Sequence, residues 1–196
     1  ESISCVQNEL NMHMFEEPWI REHKPTLYWP MLRTAETLAS RYGVSRERQD
    51  EYGLQSQLRA AKARAAGRFT SEIAPITVLA AVANVKTGEL ATREMHVVED
   101  EGIRADTTAE GLARVRTAMT DGTVTAGNAS QISDGAGACV LMSEQAAQRS
   151  GLQALGRFCG FSVAGCEPEE MGLGPIYAVP KLLKRHGLTV SDIGLW

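Results

Sequence analysis

The sequence predicts an α/β fold, and three observations carry that prediction. Stretches with helix-capping residues alternate with short apolar runs along the chain, a pattern typical of α/β domains. Hydrophobic residues make up 43% of the 196 residues, which is enough to bury a core of ordinary size. Between two apolar segments, residues 123–136 form a run of small and hydroxyl side chains that is typical of a tight polar turn.

The first 33 residues or so are predicted to be irregular, because their aromatic and methionine side chains lie among prolines without a period. Such a loop covers either the chain's own core or a partner, and the sequence leaves both open. A helix is predicted over residues 34–42, and Ser45 is expected to cap a second helix that ends near Ala66. Acidic and basic residues, Arg46 and Asp50 among them, are interleaved along this second helix, which predicts a solvated helix face.

Further along the chain, strands and helices alternate. The predicted strands cover residues 73–78, 95–98, 135–142 and 158–164. A short helix is predicted within residues 111–119, a second one between Ser143 and Gly151, and a third over residues 177–186. Pro180 lies inside the last of these, where its missing N–H donor predicts a late start or a kink.

Charge and hydropathy exclude two classes of partner. The net charge is −4, with 20 basic and 24 acidic residues interspersed, so no basic footprint for nucleic acid or for an anionic membrane is present. No apolar run has the roughly 20 residues that span a bilayer. A cytoplasmic location is therefore predicted, and import into an organelle stays open.

Neither a disulfide nor a metal site is predicted. The four cysteines, Cys5, Cys139, Cys159 and Cys166, contain no Cys-x-x-Cys pair, and the four histidines have no metal-ligand spacing. Cys5 lacks a local base, so we expect no nucleophilic role for it.

The run Thr-Val-Thr-Ala-Gly-Asn-Ala-Ser-x-x-x-Asp-Gly-Ala at residues 123–136 resembles the corresponding segment of the thiolase family. The resemblance continues through Met-Gly-Leu-Gly-Pro at residues 171–175 to Ser-Asp-Ile-Gly-Leu-Trp at residues 191–196, in the family's order. It implies a thiolase-like fold, with part of a layered αβαβα core and an inserted loop domain. The implied division is residues 1–132 for the loop domain, 133–154 for the end of the N-terminal core half and 155–196 for the start of the C-terminal half.

The resemblance also implies that the chain is a middle fragment. Residues 1–4 are similar to a segment that follows the family's nucleophilic cysteine, and the Asn-Glu-Ala-Phe, Gly-His-Pro and Cys-x-Gly-Gly motifs would follow Trp196. A chain without these cysteine and histidine motifs is expected to be inactive by itself, since no thiolate can be generated at the site.

Five residues match positions that hold coenzyme A in the family: Arg104, Ala126, Ser130, Met31 and Met171. Arg104 matches an arginine near the nucleotide, where a guanidinium binds phosphate or stacks on a ring, although a surface ion pair with Asp100 or Glu101 is equally compatible. Ala126 and Ser130 match small turn residues beside the pantetheine arm. Met31 and Met171 match methionines that border the acyl passage, with core filling as the alternative.

The function that the resemblance implies is acyl transfer between a cysteine and coenzyme A in fatty acid metabolism, as 3-oxoacyl-CoA cleavage or acetyl-CoA condensation. The implied partners are an acyl-CoA substrate and a second copy of the chain, as a homodimer or homotetramer. The alternative is a non-catalytic module of a thiolase-like protein that binds coenzyme A or lipid and oligomerises. Pro30 to Arg33 depart from the His-Met-Gly that often precedes Thr-Ala-Glu in the family, which puts chain-length preference in doubt.

Overall fold

The computed structural model describes residues 10–196, so Cys5 and the segment 1–4 lie outside the described residues. Its α-helices are α1 (Pro18–His23), α2 (Met31–Arg41), α3 (Arg46–Ala65), α4 (Ala109–Ala113), α5 (Glu144–Arg149) and α6 (Gly174–His186). Short 3₁₀ helices cover Pro25–Tyr28, Pro168–Leu173 and Val190–Asp192. No helix within residues 10–196 combines the length and the apolar character that crossing a membrane requires.

The chain forms two compact units. Ser45–Gln131 makes up one of them, which we call the continuous unit. The described residues before Ser45 join Ile132–Trp196 in the other, which we call the discontinuous unit. The continuous unit contains α3, α4 and a two-stranded antiparallel ribbon of β1 (Ile76–Ala83) and β2 (Leu90–Val97). The discontinuous unit contains the remaining helices.

Helix α3 confirms the second predicted helix. The Ser45 hydroxyl accepts the N–H of Arg48 at 3.3 Å and so caps the first turn. The helix ends before Gly67, which takes the left-handed conformation with φ of 68°.

The N-terminal segment is more regular than predicted. Prolines among aperiodic side chains predict irregular backbone there, yet Pro18 and Pro25 each begin a helical segment, where a missing N–H costs nothing. The Glu17 carboxylate caps α1 by accepting the N–H of Ile20 at 2.8 Å. Helix α2 likewise begins at Met31, three residues earlier than expected.

Two predicted strands exist but are longer, because they form a hairpin. Residue Ile76 pairs with Val97, and Ala83 pairs with Leu90. The connecting turn is closed by hydrogen bonds between Asn84 and Glu89 and between Gly88 and Asn84, each at 2.8 Å. The predictions over residues 73–78 and 95–98 therefore located only the end of the ribbon away from the turn, three of the eight residues in each strand.

The predicted strands over residues 135–142 and 158–164 are wrong. Neither segment pairs with a strand of the described chain, and most of their side chains are exposed. In the second segment, side chains of α6 replace a neighbouring strand: Arg185 donates to the Phe161 carbonyl at 2.9 Å and Lys181 to the Val163 carbonyl at 3.2 Å. An apolar run predicts extended backbone, whereas a strand also needs a partner for its backbone groups.

Three helices differ from prediction mainly at their ends. The short helix predicted within residues 111–119 is α4, and Ser143 caps α5 as expected. Helix α6 begins at Gly174 and continues through Pro180. It ends at Gly187 with φ of 65°, as the glycine predicted.

Candidate functional site

The small-residue turn is built on hydrogen bonds from its own side chains. Asn128 Oδ1 accepts the Thr125 N–H at 2.8 Å, and Asn128 Nδ2 donates to the Thr123 carbonyl at 3.1 Å. Thr125 is 1% exposed, and its hydroxyl accepts the Gly127 N–H at 3.1 Å. Side chains that bond their own backbone fix a turn locally, so this segment is held in one conformation.

Helix α3 holds the turn through Asp50, a buried carboxylate that binds both Arg46 and Asn128. Asp50 Oδ2 accepts Arg46 Nε at 2.7 Å, and Asp50 Oδ1 accepts Asn128 Nδ2 at 3.0 Å. Arg46 Nη2 also donates to the carbonyls of Leu112 and Val115 at 2.7 and 2.9 Å. Both charges are therefore hydrogen-bonded on several sides, as a buried pair requires.

The prediction of a solvated charged face is thus wrong for Arg46 and Asp50. Asp50 is only 8% exposed, since the turn covers it. The i, i+4 spacing of arginine and aspartate was visible in the sequence, but it indicates an ion pair whether or not the pair is buried.

Two glycines permit close approach of the turn to its neighbours. A Cβ at Gly53 of α3 would lie 2.9 Å from the Gly127 carbonyl oxygen, closer than real Cβ contacts. A Cβ at Gly127 would meet the side chain of Leu112, which is 6% exposed. The backbone of the turn at Gly127 therefore packs directly against the backbone of α3 at Gly53 and against the Leu112 side chain of α4.

The loop that carries Arg104 is held against the same helix. The Arg104 N–H donates to Gln57 Oε1 of α3 at 2.8 Å. The side chain of Gln131 occupies the space beside Gly102, where a Cβ would otherwise lie. The Arg104 loop and the end of the small-residue turn are therefore neighbours in the continuous unit.

The guanidinium of Arg104 is exposed and carries no ion pair among the described residues. The alternative of a surface ion pair with Asp100 or Glu101 is not seen there. Instead, the Asp100 carboxylate accepts the Gly102 N–H at 2.7 Å. Ala126 and Ser130 are exposed as well, and the Ser130 hydroxyl donates to the Gln131 carbonyl at 3.1 Å.

Met31 and Met171 lie in the discontinuous unit, so they are described separately from the other three residues. Met31 begins α2 and is 69% exposed, and Met171, in Pro168–Leu173, is 49% exposed. Core filling, the alternative for both, does not fit these exposures. Next to Met171, the space beside Gly172 is filled by the Leu38 side chain of α2.

Polar contacts also attach Pro168–Leu173 to α2. Arg41 Nη1 donates to Glu170 Oε1 at 2.7 Å, and the Tyr42 hydroxyl donates to the same oxygen at 3.1 Å. The Arg41 hydrogen bond lowers the pKa of Glu170, and Glu170 in turn raises the pKa values of Arg41 and Tyr42. Met171 thus lies between two residues that contact α2.

No group of three or more His, Cys, Asp or Glu residues that could hold a metal ion occurs in residues 10–196. Sequence reasoning found Arg104, Ala126 and Ser130, and the Asn128 amide predicts the bonds to nearby backbone that the turn contains. It missed the supporting roles of Arg46, Asp50, Gln57 and Gln131. The i, i+4 spacing of Arg46 and Asp50 indicates their ion pair, but no signal in the sequence shows that Asp50, Gln57 and Gln131 contact the turn or the Arg104 loop.

Comparison with known proteins places this geometry in a family. Residues 23–145 match the family described as Thiolase, N-terminal domain, and residues 152–196 match Thiolase, C-terminal domain. The chain is 47% identical over 167 residues to 3-ketoacyl-CoA thiolase A, peroxisomal, of Candida tropicalis, covering 85% of this chain and 40% of that protein. It is 48% identical over 163 residues to an acetyl-CoA acetyltransferase of Chromobacterium violaceum, covering 83% and 39%.

Solved structures support the same assignment. The dimeric peroxisomal thiolase of Saccharomyces cerevisiae matches with a TM-score of 0.78 and 35% identity, over 100% of this chain and 47% of that chain. Human mitochondrial 3-ketoacyl-CoA thiolase in complex with CoA matches with a TM-score of 0.71 and 40% identity, over 88% and 40%. The predicted fold class, α/β and thiolase-like, is confirmed by these matches.

The chain belongs to the thiolase family. It spans about two fifths of the length of the curated relatives it matches.

Proposed function

We propose that this chain is part of a thiolase-type acyltransferase that moves an acyl group between a cysteine and coenzyme A. The reaction is 3-oxoacyl-CoA cleavage or acetyl-CoA condensation, the two activities that the names of the relatives cover. The observation that carries the proposal is the exposed surface of Arg104, Ala126 and Ser130. Helix α3 holds the segments that carry these residues, through Gln57 at Arg104 and through Asp50 at the turn. A preformed surface with one free cation and small neighbours suits a long phosphorylated ligand.

In this proposal each residue has a defined role in binding rather than in bond making. The Arg104 guanidinium donates charge-assisted hydrogen bonds to a phosphate of the nucleotide end. The small side chains of Ala126 and Ser130 let the pantetheine arm lie against the turn. Met31 and Met171 line the acyl passage with unbranched, polarizable side chains.

The chemistry itself is nucleophilic catalysis by a cysteine thiolate. In cleavage, the thiolate attacks the 3-keto carbon, the bond between carbons 2 and 3 breaks, and the departing acyl-CoA carbanion takes a proton; the thiolate of free coenzyme A then takes the acyl group from the cysteine. In condensation, the thiolate attacks the thioester carbon and expels coenzyme A, and a second acetyl-CoA that has lost a proton from carbon 2 then takes the acyl group. Stabilisation of the carbonyl oxygen as it gains charge lowers the barrier. No residue of this chain is assigned a catalytic role, and no metal ion is required.

The test is the activity of the full-length product of the gene that encodes this chain. Purified protein should cleave a 3-oxoacyl-CoA in a reaction that depends on free coenzyme A. Arg104→Ala should raise the KM for coenzyme A about tenfold, the effect of losing about 1.4 kcal/mol of binding. Arg48→Ala, an exposed arginine of α3, is the matched control and should leave KM unchanged.

A non-catalytic module that binds coenzyme A or lipid and oligomerises is the second candidate. The observation in its favour is the exposure of large apolar side chains near the N-terminus, which include Met12, Met14, Phe15 and Trp19. A well-folded full-length protein that binds coenzyme A but turns over no 3-oxoacyl-CoA would favour this candidate over the first.

We propose a homodimer as the assembly, since the Saccharomyces cerevisiae relative is dimeric. Sedimentation of the full-length protein distinguishes a dimer from the alternative tetramer.

The division of the chain into a loop domain and two core segments stays a prediction. A location in the cytoplasm also stays a prediction, and the relative from Candida tropicalis is peroxisomal. Imaging of the tagged full-length protein tests the location.

A further inference from the structure

We infer that Gln57 is a positioning residue for the coenzyme A surface, where it fixes the backbone from which the Arg104 side chain extends. This inference rests on the proposed function, because it gives Arg104 a ligand. The side-chain oxygen of Gln57 accepts the Arg104 N–H at 2.8 Å, across 47 residues of chain. The guanidinium is not used in this contact and stays exposed.

Both backbone groups of Arg104 are hydrogen-bonded. Its N–H is bound by Gln57, and its carbonyl accepts the Thr107 hydroxyl at 2.8 Å and the Thr107 N–H at 3.3 Å. Thr107 belongs to the same loop, so among the described residues only Gln57 ties the backbone of Arg104 to the helix. Glu99 pairs with Arg64 of α3 at 3.6 Å. Without Gln57 the loop would therefore stay near α3 but lose the hydrogen bond that fixes the backbone of Arg104.

The same helix face holds the turn. Asp50, Gly53 and Gln57 have the spacing i, i+3 and i+7, which places them in a row along one side of α3. Asp50 bonds Asn128, Gly53 admits the Gly127 carbonyl, and Gln57 bonds Arg104. One rigid helix therefore sets the separation between the arginine for the nucleotide end and the turn for the pantetheine arm.

This arrangement explains how the Arg104 loop and the small-residue turn can bind one extended ligand together. A ligand that contacts both segments binds tightly only when their spacing is already correct, because any adjustment reduces the binding free energy. Gln57 is consequently expected to act on affinity for coenzyme A through Arg104, without touching the ligand.

The experiment compares Gln57→Ala, Gln57→Glu and Gln55→Ala in the full-length protein. Gln57→Ala should raise the KM for coenzyme A about fivefold, which corresponds to about 1 kcal/mol, with less change in kcat at saturating coenzyme A and in Tm. Gln57→Glu keeps an oxygen that accepts the same N–H and should restore most of the affinity. Gln55 is an exposed glutamine on the same helix, so Gln55→Ala should change neither constant.

A double-mutant cycle with Arg104→Ala separates the inference from the proposed function. If Gln57 acts through Arg104, Gln57→Ala should raise KM little further in the Arg104→Ala background. If Arg104→Ala leaves KM unchanged, the proposed site is wrong. If Arg104→Ala raises KM and Gln57→Ala does not, the proposed site stands and the positioning role is overturned.

If the rise in KM of Gln57→Ala is accompanied by a large fall in kcat and in Tm, and Gln57→Glu does not rescue them, the inference is also overturned, since this outcome indicates a merely structural residue. Should the protein show no turnover, the dissociation constant for coenzyme A, measured by titration calorimetry, replaces KM in every comparison. The expected ratios are the same.

Discussion

Two consecutive stretches of the chain behave very differently although both are rich in small residues. Residues 123–131 carry their own hydrogen-bonding side chains and are fixed by α3, so that Thr125 is almost completely buried. Residues 132–143 have no regular structure, and Val140 and Leu141 are 83% and 79% exposed. The difference shows that a turn with internal partners is determined locally, whereas an apolar run depends on what pairs with it.

The largest expected effect comes from removing the Asp50 carboxylate, which α3 presents to the turn. Asp50→Ala leaves the half-buried Arg46 without its counter-ion and Asn128 without one acceptor, which should lower the free energy of unfolding by about 3 kcal/mol. Urea denaturation of the full-length protein measures the loss. Glu51→Ala replaces the neighbouring exposed carboxylate and should cost less than about 0.5 kcal/mol. Equal losses in the two variants would contradict the role of Asp50.

A second test compares Gly53, which lies against the turn, with Gly135, which lies within residues 132–143. Gly53→Ala places a Cβ 2.9 Å from the Gly127 carbonyl oxygen, and such overpacking should cost about 1 to 3 kcal/mol. Gly135→Ala meets no atom within 4 Å and should be nearly neutral in the 196-residue chain. Urea denaturation of that chain measures both variants, and a neutral Gly53→Ala would show that the turn is not held against α3.

These contrasts also explain how much the sequence could predict. The caps Ser45 and Ser143 and the terminator Gly187 act on adjacent backbone, and all three helices were located from them. The prediction of irregular backbone around Pro18 and Pro25 failed because proline breaks the interior of a helix but is favoured at its first residue. The strands over residues 135–142 and 158–164 failed because strand formation depends on distant partners.

The candidate site shows the same limit. Arg104, Ala126 and Ser130 were found through a family resemblance along the sequence, and their chemistry could be argued from residue type. Gln57 contacts Arg104 across 47 residues of chain, and Asp50 contacts Asn128, in the turn that carries Ala126 and Ser130, across 78 residues. Spacing along a helix predicts which side chains share a face, but it does not reveal what lies opposite that face.

The exposed apolar stretch predicts a change in solubility with little change in stability. Replacing Val140 and Leu141 with threonine and glutamine removes exposed apolar surface, so the 196-residue chain should aggregate less. Its free energy of unfolding should change by less than about 0.5 kcal/mol. Light scattering and urea denaturation measure the two effects. A large loss of stability would show that these side chains are packed, which would remove the contrast with the turn.

The smallest expected effect concerns pH and the contact between Arg41 and Glu170 in the discontinuous unit. The pKa of Glu170 lies below its ordinary value of 4.5, chiefly because Arg41 donates a hydrogen bond to the carboxylate. Folding therefore favours the ionised form. The resulting stabilisation is present above pH 4.5 and is lost as the pH falls through the lower folded pKa.

Glu170→Gln should lower Tm slightly near neutral pH, and its difference from the unchanged protein should shrink as the pH falls below 4.5. Glu169 and Asp192 also have lowered pKa values, so the variant should keep part of the acid dependence. Glu22→Gln, an exposed carboxylate of α1, is the control and should leave the curve in place. A difference that stayed constant with pH would mean that Glu170 stabilises this unit by packing and not by its charge. In that case the segment Pro168–Leu173, which carries Met171, would be held against α2 without the charge of Glu170. The small-residue turn, in contrast, depends on the Asp50 carboxylate of α3.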